Sequence, residues 1–352
     1  MLLLLLSACT VDTPEKNPSL KGTLFQDRGD DTSSSDDTED TSSDQTNGQE
    51  YTKIYVTVVM HSEQPTNDES SSSEYYYPDY SSSESTFNDA RAGLLDMVEM
   101  LKEEQVKFDF QPDSNFLEAV KKYDSGTDDT DGENILKYIV SQGFEIDAHH
   151  HPSFGYSYAD VAYLDKELTG TDSGVIGGFI FYPIEDSELE EYSQPIQGTK
   201  YSYTWQPKIL WGGGVAGHQT IDGISDVEIS GIWRPKSAED FFDDKEGNLP
   251  DVGSYVDDKE GVLDLLEKAD AGELDPSKMY TANLMNNHRS IDGSGSEDES
   301  YISNLQQDIE EIKAADTNNR IVWVTITEAV DIWEQDYNSE PNLYYADGYT
   351  GF

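Results

Sequence analysis

One cysteine is present in 352 residues. A lone thiol cannot form an internal disulfide, and it leaves no pair for a thiolate metal knuckle. Basic residues are also scarce. Lysine and arginine number 22 against 72 aspartates and glutamates, for a formal charge of −50. A field of that sign repels phosphate backbones and anionic headgroups, which excludes nucleic acid and direct adhesion to an acidic bilayer surface. No run of 18 apolar residues occurs, so nothing is long enough to span a membrane as a helix. There is no G-x-G-x-x-G after the first strand-like segment, no P-loop and no G-x-S-x-G elbow. Those absences argue against nucleotide cofactors and acyl-serine chemistry. No repeat of 20 to 50 residues is visible, which sets aside solenoids and propellers.

The acidity runs the length of the chain. Before Tyr51 there are 11 acids and 3 bases, and the remainder keeps 61 acids against 19 bases. A folded domain so acidic fits life in salt, divalent-cation binding, or simply a soluble surface. The chain opens on MLLLLLSAC, a short apolar run closing on Leu6-Ser7-Ala8-Cys9. That ending has the form of a bacterial lipobox, in which the cysteine is acylated after cleavage, although no basic residue precedes the run. Residues 10–50 are rich in Ser, Thr, Asp, Gly and Pro and cannot bury enough apolar surface to offset chain entropy. The expected organisation is therefore a signal peptide over 1–9 with a lipid on Cys9, a disordered acidic tether over 10–50, and one folded domain over 51–352. The expected location is the cell envelope, outside the cytoplasm, on the outer membrane or cell surface. The membrane is then touched through the lipid alone.

The folded part begins with KIYVTVVMHSEQ, whose residues 53–60 are β-branched and aromatic, a buried-strand signal. A serine-rich insertion follows, in which Tyr75, Tyr76, Tyr77 and Tyr80 offer rings for stacking on sugars or form a low-complexity excursion. Apolar residues at Leu94, Leu95, Val98 and Leu101 recur at helical period. Further strands are expected at 106–110, from Phe144 onward, and at 174–181, 208–211, 228–233, 279–285 and 320–326. Helices fall between them, with Ser157 and Thr327 as N-caps. The loop SGTDDTDGE has carboxylates for a cation but lacks calcium-loop spacing. Strands alternating with helices predict a parallel sheet. The fold class is α/β: a single (β/α) barrel, distorted, of about seven or eight strands.

The stretch EIDAHHHPSFGYSYADVAYL holds three of the six histidines. If it begins as a strand, Asp147, His149 and His151 share one face and His150 takes the other. The bland alternative is a set of solvated loop histidines. All six histidines, His61, His149, His150, His151, His218 and His288, fall at or just past predicted strand C-termini. That is the face on which α/β barrels place their chemistry.

VTVVMHSEQ, the Tyr-Pro-Asp loop, EIDAHHH…YSYADVAYL and VWVTITEAVDIW together resemble bacterial extracellular proteins of the glycoside hydrolase/deacetylase barrel superfamily, near the polysaccharide deacetylases. The resemblance covers roughly 51–337. It implies a distorted barrel of about seven strands and a divalent-metal site at the strand C-termini. Where deacetylases carry a first-strand Asp-Asp pair this chain has His61-Ser62-Glu63. Where they carry His-x-x-x-His it has His149-x-His151 after Asp147. These departures leave metal-assisted hydrolysis as the expected class.

Two histidines with an oxygen ligand suit zinc or a similar divalent ion. The expected ligands are His61, His149 and His151, with Asp147 as a ligand or as the partner that fixes a histidine tautomer. Glu63 is the expected general base. Asp113 is either the cap of the next helix or a catalytic carboxylate. His218 and His288 are candidates to donate protons or hold substrate. Arg234 suits an anionic group on the substrate or a structural salt bridge. Tyr77 and Trp211, with Trp205 and Trp233, are sugar platforms or core aromatics. The function expected is a metal-dependent hydrolase acting on carbohydrate; the alternative is a non-catalytic lipoprotein that binds glycan or metal on the same barrel.

Overall fold

The computed structural model describes residues 51–65, 77–150, 155–178, 186–212, 228–237, 241–242, 247–287 and 298–346. Cys9, the tether, Tyr75, Tyr76, His151, His218 and His288 lie outside the described residues.

Strand β1 (Ile54–His61) is buried along its whole length. Helix α1 (Glu84–Glu103) follows, capped by the Ser83 hydroxyl, which accepts from the Thr86 amide. Next come β2 (Asp109–Gln111), α2 (Ser114–Tyr123), α3 (Ile135–Ser141), β3 (Glu145–Ile146) and β4 (Ala148–His149). Helix α4 (Tyr158–Thr169) starts at a Ser157 capping box, as the sequence predicts. The chain continues through β5 (Val175–Gly177), α5 (Asp186–Tyr192), β6 (Ile196–Gln197), β7 (Thr204–Trp205) and β8 (Ile209–Trp211). Then come β9 (Ile229–Ser230), β10 (Ile232–Trp233), β11 (Asp251–Val252), α6 (Lys259–Ala271) and β12 (Tyr280–Asn287). It closes with α7 (Asp298–Ala315), β13 (Ile321–Trp323), α8 (Ile326–Asp336) and β14 (Tyr344–Tyr345).

In the first sheet β1 pairs in parallel with β12 from Ile54–Tyr280 to His61–Asn287. Its other edge is shared. β13 pairs with its first three residues and β2 with its last three, Val59–Asp109 to His61–Gln111. β3 then extends β2. The second sheet runs β4, β5, β8, β11 in parallel, with β10 antiparallel at its edge. One residue, Asp147, separates β3 from β4 and carries the chain from the first sheet to the second. At the other flank, the Asn283 amide donates to the Ser254 carbonyl at 2.8 Å and the Met285 amide to that of Asp257 at 3.2 Å. The fold is thus mixed α/β with mainly parallel strands. Among the described residues the ladders form two five-stranded sheets and two small pairs, β6 with β7 and β9 with β14, not the closed ring expected.

Alternation sorts the side chains. Ile54, Val56, Val58 and Met60 pack outward with Leu94, Val98 and Leu101 of α1. Tyr55 and Val59 pack inward with Val175, Ile209, Trp211, Ile232 and Val252. A strand with apolar cover on both faces must read as a continuous apolar run, which is how β1 reads. Boundaries differ where local chemistry intervenes. The segment 228–233 is two strands, broken at Gly231 with φ +120°. The last helix is capped by Thr325, not Thr327, through a capping box with Glu328. β11 escaped the sequence pattern because Pro250 and Gly253 bracket only two residues. The SGTDDTDGE loop has its own cation: Arg91 reaches Asp124 at 3.0 Å and Asp129 at 3.2 Å. Among the described residues no helix is long and apolar enough to cross a membrane.

Candidate metal centre

His61 ends β1 and His149 ends β4, and the two buried imidazoles stack with centroids 4.2 Å apart and planes 25° apart. Trp211, at the end of β8, stands edge-on to His61 at 5.3 Å. Register explains the meeting. His149 pairs with Gly177 and Gly177 with Trp211 across the second sheet, while His61 pairs with Gln111 in the first. Two glycines make the room. Gly178 is left-handed at φ +65°, and a Cβ there would lie 2.6 Å from Cε1 of His149 and 3.3 Å from Cε1 of His61. A Cβ on Gly177 would lie 2.2 Å from Oε1 of Gln111. Neither glycine nor Gln111 stood out in the sequence. The signal was there: a Gly-Gly pair inside a continuous apolar run marks close approach.

The Nδ1 of His149 lies 3.0 Å from the Gly177 carbonyl oxygen. A carbonyl only accepts, so Nδ1 carries the hydrogen and the neutral ring keeps its lone pair on Nε2. That Nε2 faces Oε2 of Glu63 at 3.4 Å. A lone pair aimed at a carboxylate calls for a positive charge between them, either a proton or a metal ion. His61, Glu63 and His149 each place a ligand atom within 4.8 Å of the other two. Zinc bonds of about 2.0–2.1 Å set ligand atoms roughly 3–4 Å apart, so a small closure brings the two imidazoles around one ion with the Glu63 carboxylate beside it. Two imidazoles with a carboxylate beside them, the glycine cradle, and the buried Gln111 amide with neither polar atom hydrogen-bonded all fit a divalent metal.

Other expected site residues have other positions. Asp147 does not join the histidines: its carboxylate groups with those of Asp109 and Glu145. It shares a face with His149 but sits two residues earlier, about 6.6 Å lower along the strand, so sharing a face is not sharing a point. Asp113 caps α2, accepting from the Phe116 amide at 2.9 Å. Burial pushes its carboxyl well up, the Phe116 bond opposes this, and the charge of Glu63 adds to it. Its amide donates to the Ser62 hydroxyl at 2.8 Å, which ties α2 to the end of β1. His150 turns away and packs edge-on against Tyr158 at 5.3 Å.

Trp211 is fully buried, so it walls the centre and offers no open face to a sugar; Trp205 and Trp233 are likewise core. Arg234 pairs with Glu334 at 3.1 Å and lies over the Trp333 ring, which accounts for it as a structural salt bridge. Tyr77 is half-buried, while Tyr80 of the same loop is buried against Phe116, a core residue and not a sugar platform.

No protein-family model matches the chain, and no curated protein matches it. Solved structures do superpose. A 4-alpha-glucanotransferase from Thermococcus litoralis aligns over 84% of this chain at 14% identity and a TM-score of 0.47, and the chain spans only 42% of that enzyme's length. The allantoinase PuuE aligns over 81% of this chain and 91% of its own at 13% identity and TM-score 0.48. A probable polysaccharide deacetylase from Pseudomonas aeruginosa PAO1 aligns over 82% and 93% at 12% identity and TM-score 0.45. At such values the likeness leaves function to be read from the site itself.

Proposed function

We propose that the protein is an envelope-held, metal-dependent hydrolase acting on carbohydrate, of the polysaccharide deacetylase type. The observation that carries this reading is the convergence of His61, Glu63 and His149, with Nε2 of His149 turned by the Gly177 carbonyl toward the Glu63 carboxylate. His61 and His149 would hold a zinc-like ion. When bound, such an ion polarises an acyl oxygen and lowers the pKa of a water toward neutrality. Glu63 is the group at the centre with access to solvent, its side chain 14% exposed. It is therefore placed to take the proton of an attacking water. The glycine cradle lets backbone approach the reacting group, and the Gln111 amide lies over Gly177 with a donor to offer a developing oxyanion.

The test is a panel of acetylated and unacetylated glycans, read for released acetate and for new reducing ends. Wild-type protein should release one product in the presence of zinc. Glu63→Gln should keep most of the zinc affinity and lose at least about 100-fold in rate, the usual contribution of a positioned base. Unchanged turnover in that variant would remove Glu63 from its role. Saturable glycan binding without either product would favour the binding-only lipoprotein.

A further inference from the structure

Directly beneath the histidines the interior carries a second group of ligands, made of oxygen alone. Asp109 of β2 pairs in register with Glu145 of β3, and Asp147 follows two residues on along the same face. The three carboxylates each place an oxygen within 4.8 Å of the others. Asp109 and Asp147 are wholly buried.

Some of the oxygens are satisfied. Asp109 accepts from the Ile326 amide at 3.0 Å, and Asp147 from the Ser173 hydroxyl at 2.8 Å. Glu145 accepts from the amide and the hydroxyl of Thr327. One oxygen on Asp109 and one on Asp147 are buried with no hydrogen-bond partner. Independently, Asp165 of α4 brings a third buried carboxylate, whose two oxygens both lack a hydrogen bond, and its charge acts on that of Asp147.

Among the described residues no lysine or arginine forms an ion pair with any of the four. The SGTDDTDGE loop differs in this respect, because there Arg91 sits among the carboxylates. The N-terminus of α8 supplies about half a positive charge, too little for four carboxylates. Three carboxylates this close, two of them wholly buried, repel one another in the interior. Relief has to come from protons or from a bound cation.

We infer that Asp109, Glu145 and Asp147 form a second, structural cation site, separate from the histidine centre and suited to a hard divalent ion such as calcium or magnesium. Hard ions prefer carboxylate oxygens, whereas the imidazoles above suit zinc, so the two layers select different metals. The inference does not depend on the proposed hydrolase activity.

It is tested on the full chain, stripped with chelator and held in 1 M sodium chloride. There the Debye length is about 3 Å and the exposed carboxylates are screened. Calcium chloride and magnesium chloride are titrated separately by calorimetry, and melting is followed at each end point. Wild type should bind one equivalent of one of these ions and melt about 5 °C higher at roughly 100-fold excess over Kd. His149→Ala should retain that binding. Asp109→Asn should lose at least tenfold in affinity and the melting shift, and Glu145→Gln should repeat the loss if Asp109→Asn fails to fold. Absence of saturable binding in wild type, or unchanged binding in the folded carboxylate variants, would overturn the site and leave protons as the counter-charge. Loss of calcium and magnesium binding in His149→Ala would also overturn it, since it would merge the two centres.

Discussion

His61 and Asp109 sit two residues apart in depth. Val59, the register partner of Asp109, precedes His61 by two positions on β1. At the upper level the donors are mixed nitrogen and oxygen, two glycines open the wall, and Glu63 reaches solvent. At the lower level the donors are all oxygen, and the start of α8 closes over them through the amides of Ile326 and Thr327. The same alternation of side chains points both sets inward. What separates them is depth, set by the offset between strands. Each level keeps one partly exposed carboxylate, Glu63 above and Glu145 below, so donor chemistry and not access sets the two apart.

The comparison breaks most visibly at Gly178. Gly178→Val places a branched side chain at φ +65° against both imidazoles. It should abolish zinc binding and destabilise the fold by about 3 kcal/mol, combining left-handed strain with overpacking. Zinc titration and urea unfolding read the two effects. Retention of full zinc affinity would show that the cradle is not needed.

A smaller effect, of opposite sign, is expected at the lower level. Asp165 is raised by burial alone. An acid whose folded pKa exceeds its unfolded value contributes stability that is fully present below the unfolded value, about 3.9. That contribution is lost as pH rises through the folded value. Wild type without divalent cations should therefore gain stability as pH falls from 8 toward 5. Asp165→Asn should be more stable than wild type at pH 8 by about 1–2 kcal/mol and should flatten the slope. Equal slopes in urea-melt series at several pH values would refute this.

The smallest effect belongs to Arg234, outside both levels. Its exposed pair with Glu334 is worth at most about 1 kcal/mol. Arg234→Ala should leave zinc affinity unchanged, and a large drop in affinity would mean that the residue does reach the centre.

Faces were legible in the sequence; depths were not. Period-two alternation turns Asp147 and His149 one way and His150 the other, and His150 packs against Tyr158, away from His61 and His149. It gave no warning that Asp147 would join Asp109, because the offset of β2 against β3 is fixed by pairing between distant segments. The N-cap of the last helix was legible in principle. Thr325-x-x-Glu328 is a capping box, whereas three residues beyond Thr327 stands Val330, which cannot reciprocate. The burial of Trp211 needed the fold, since an indole ending an apolar strand reads equally as platform or core.

The central claim is that His61 and His149 hold a metal beside the Glu63 carboxylate. It is tested most directly by elemental analysis of the purified full chain and two variants after dialysis against limiting zinc. The account predicts one equivalent of zinc in wild type and in His150→Ala, and less than about a tenth of an equivalent in His149→Ala, from roughly 100-fold weaker binding. Equal zinc in all three proteins, or equal loss in both variants, would contradict it.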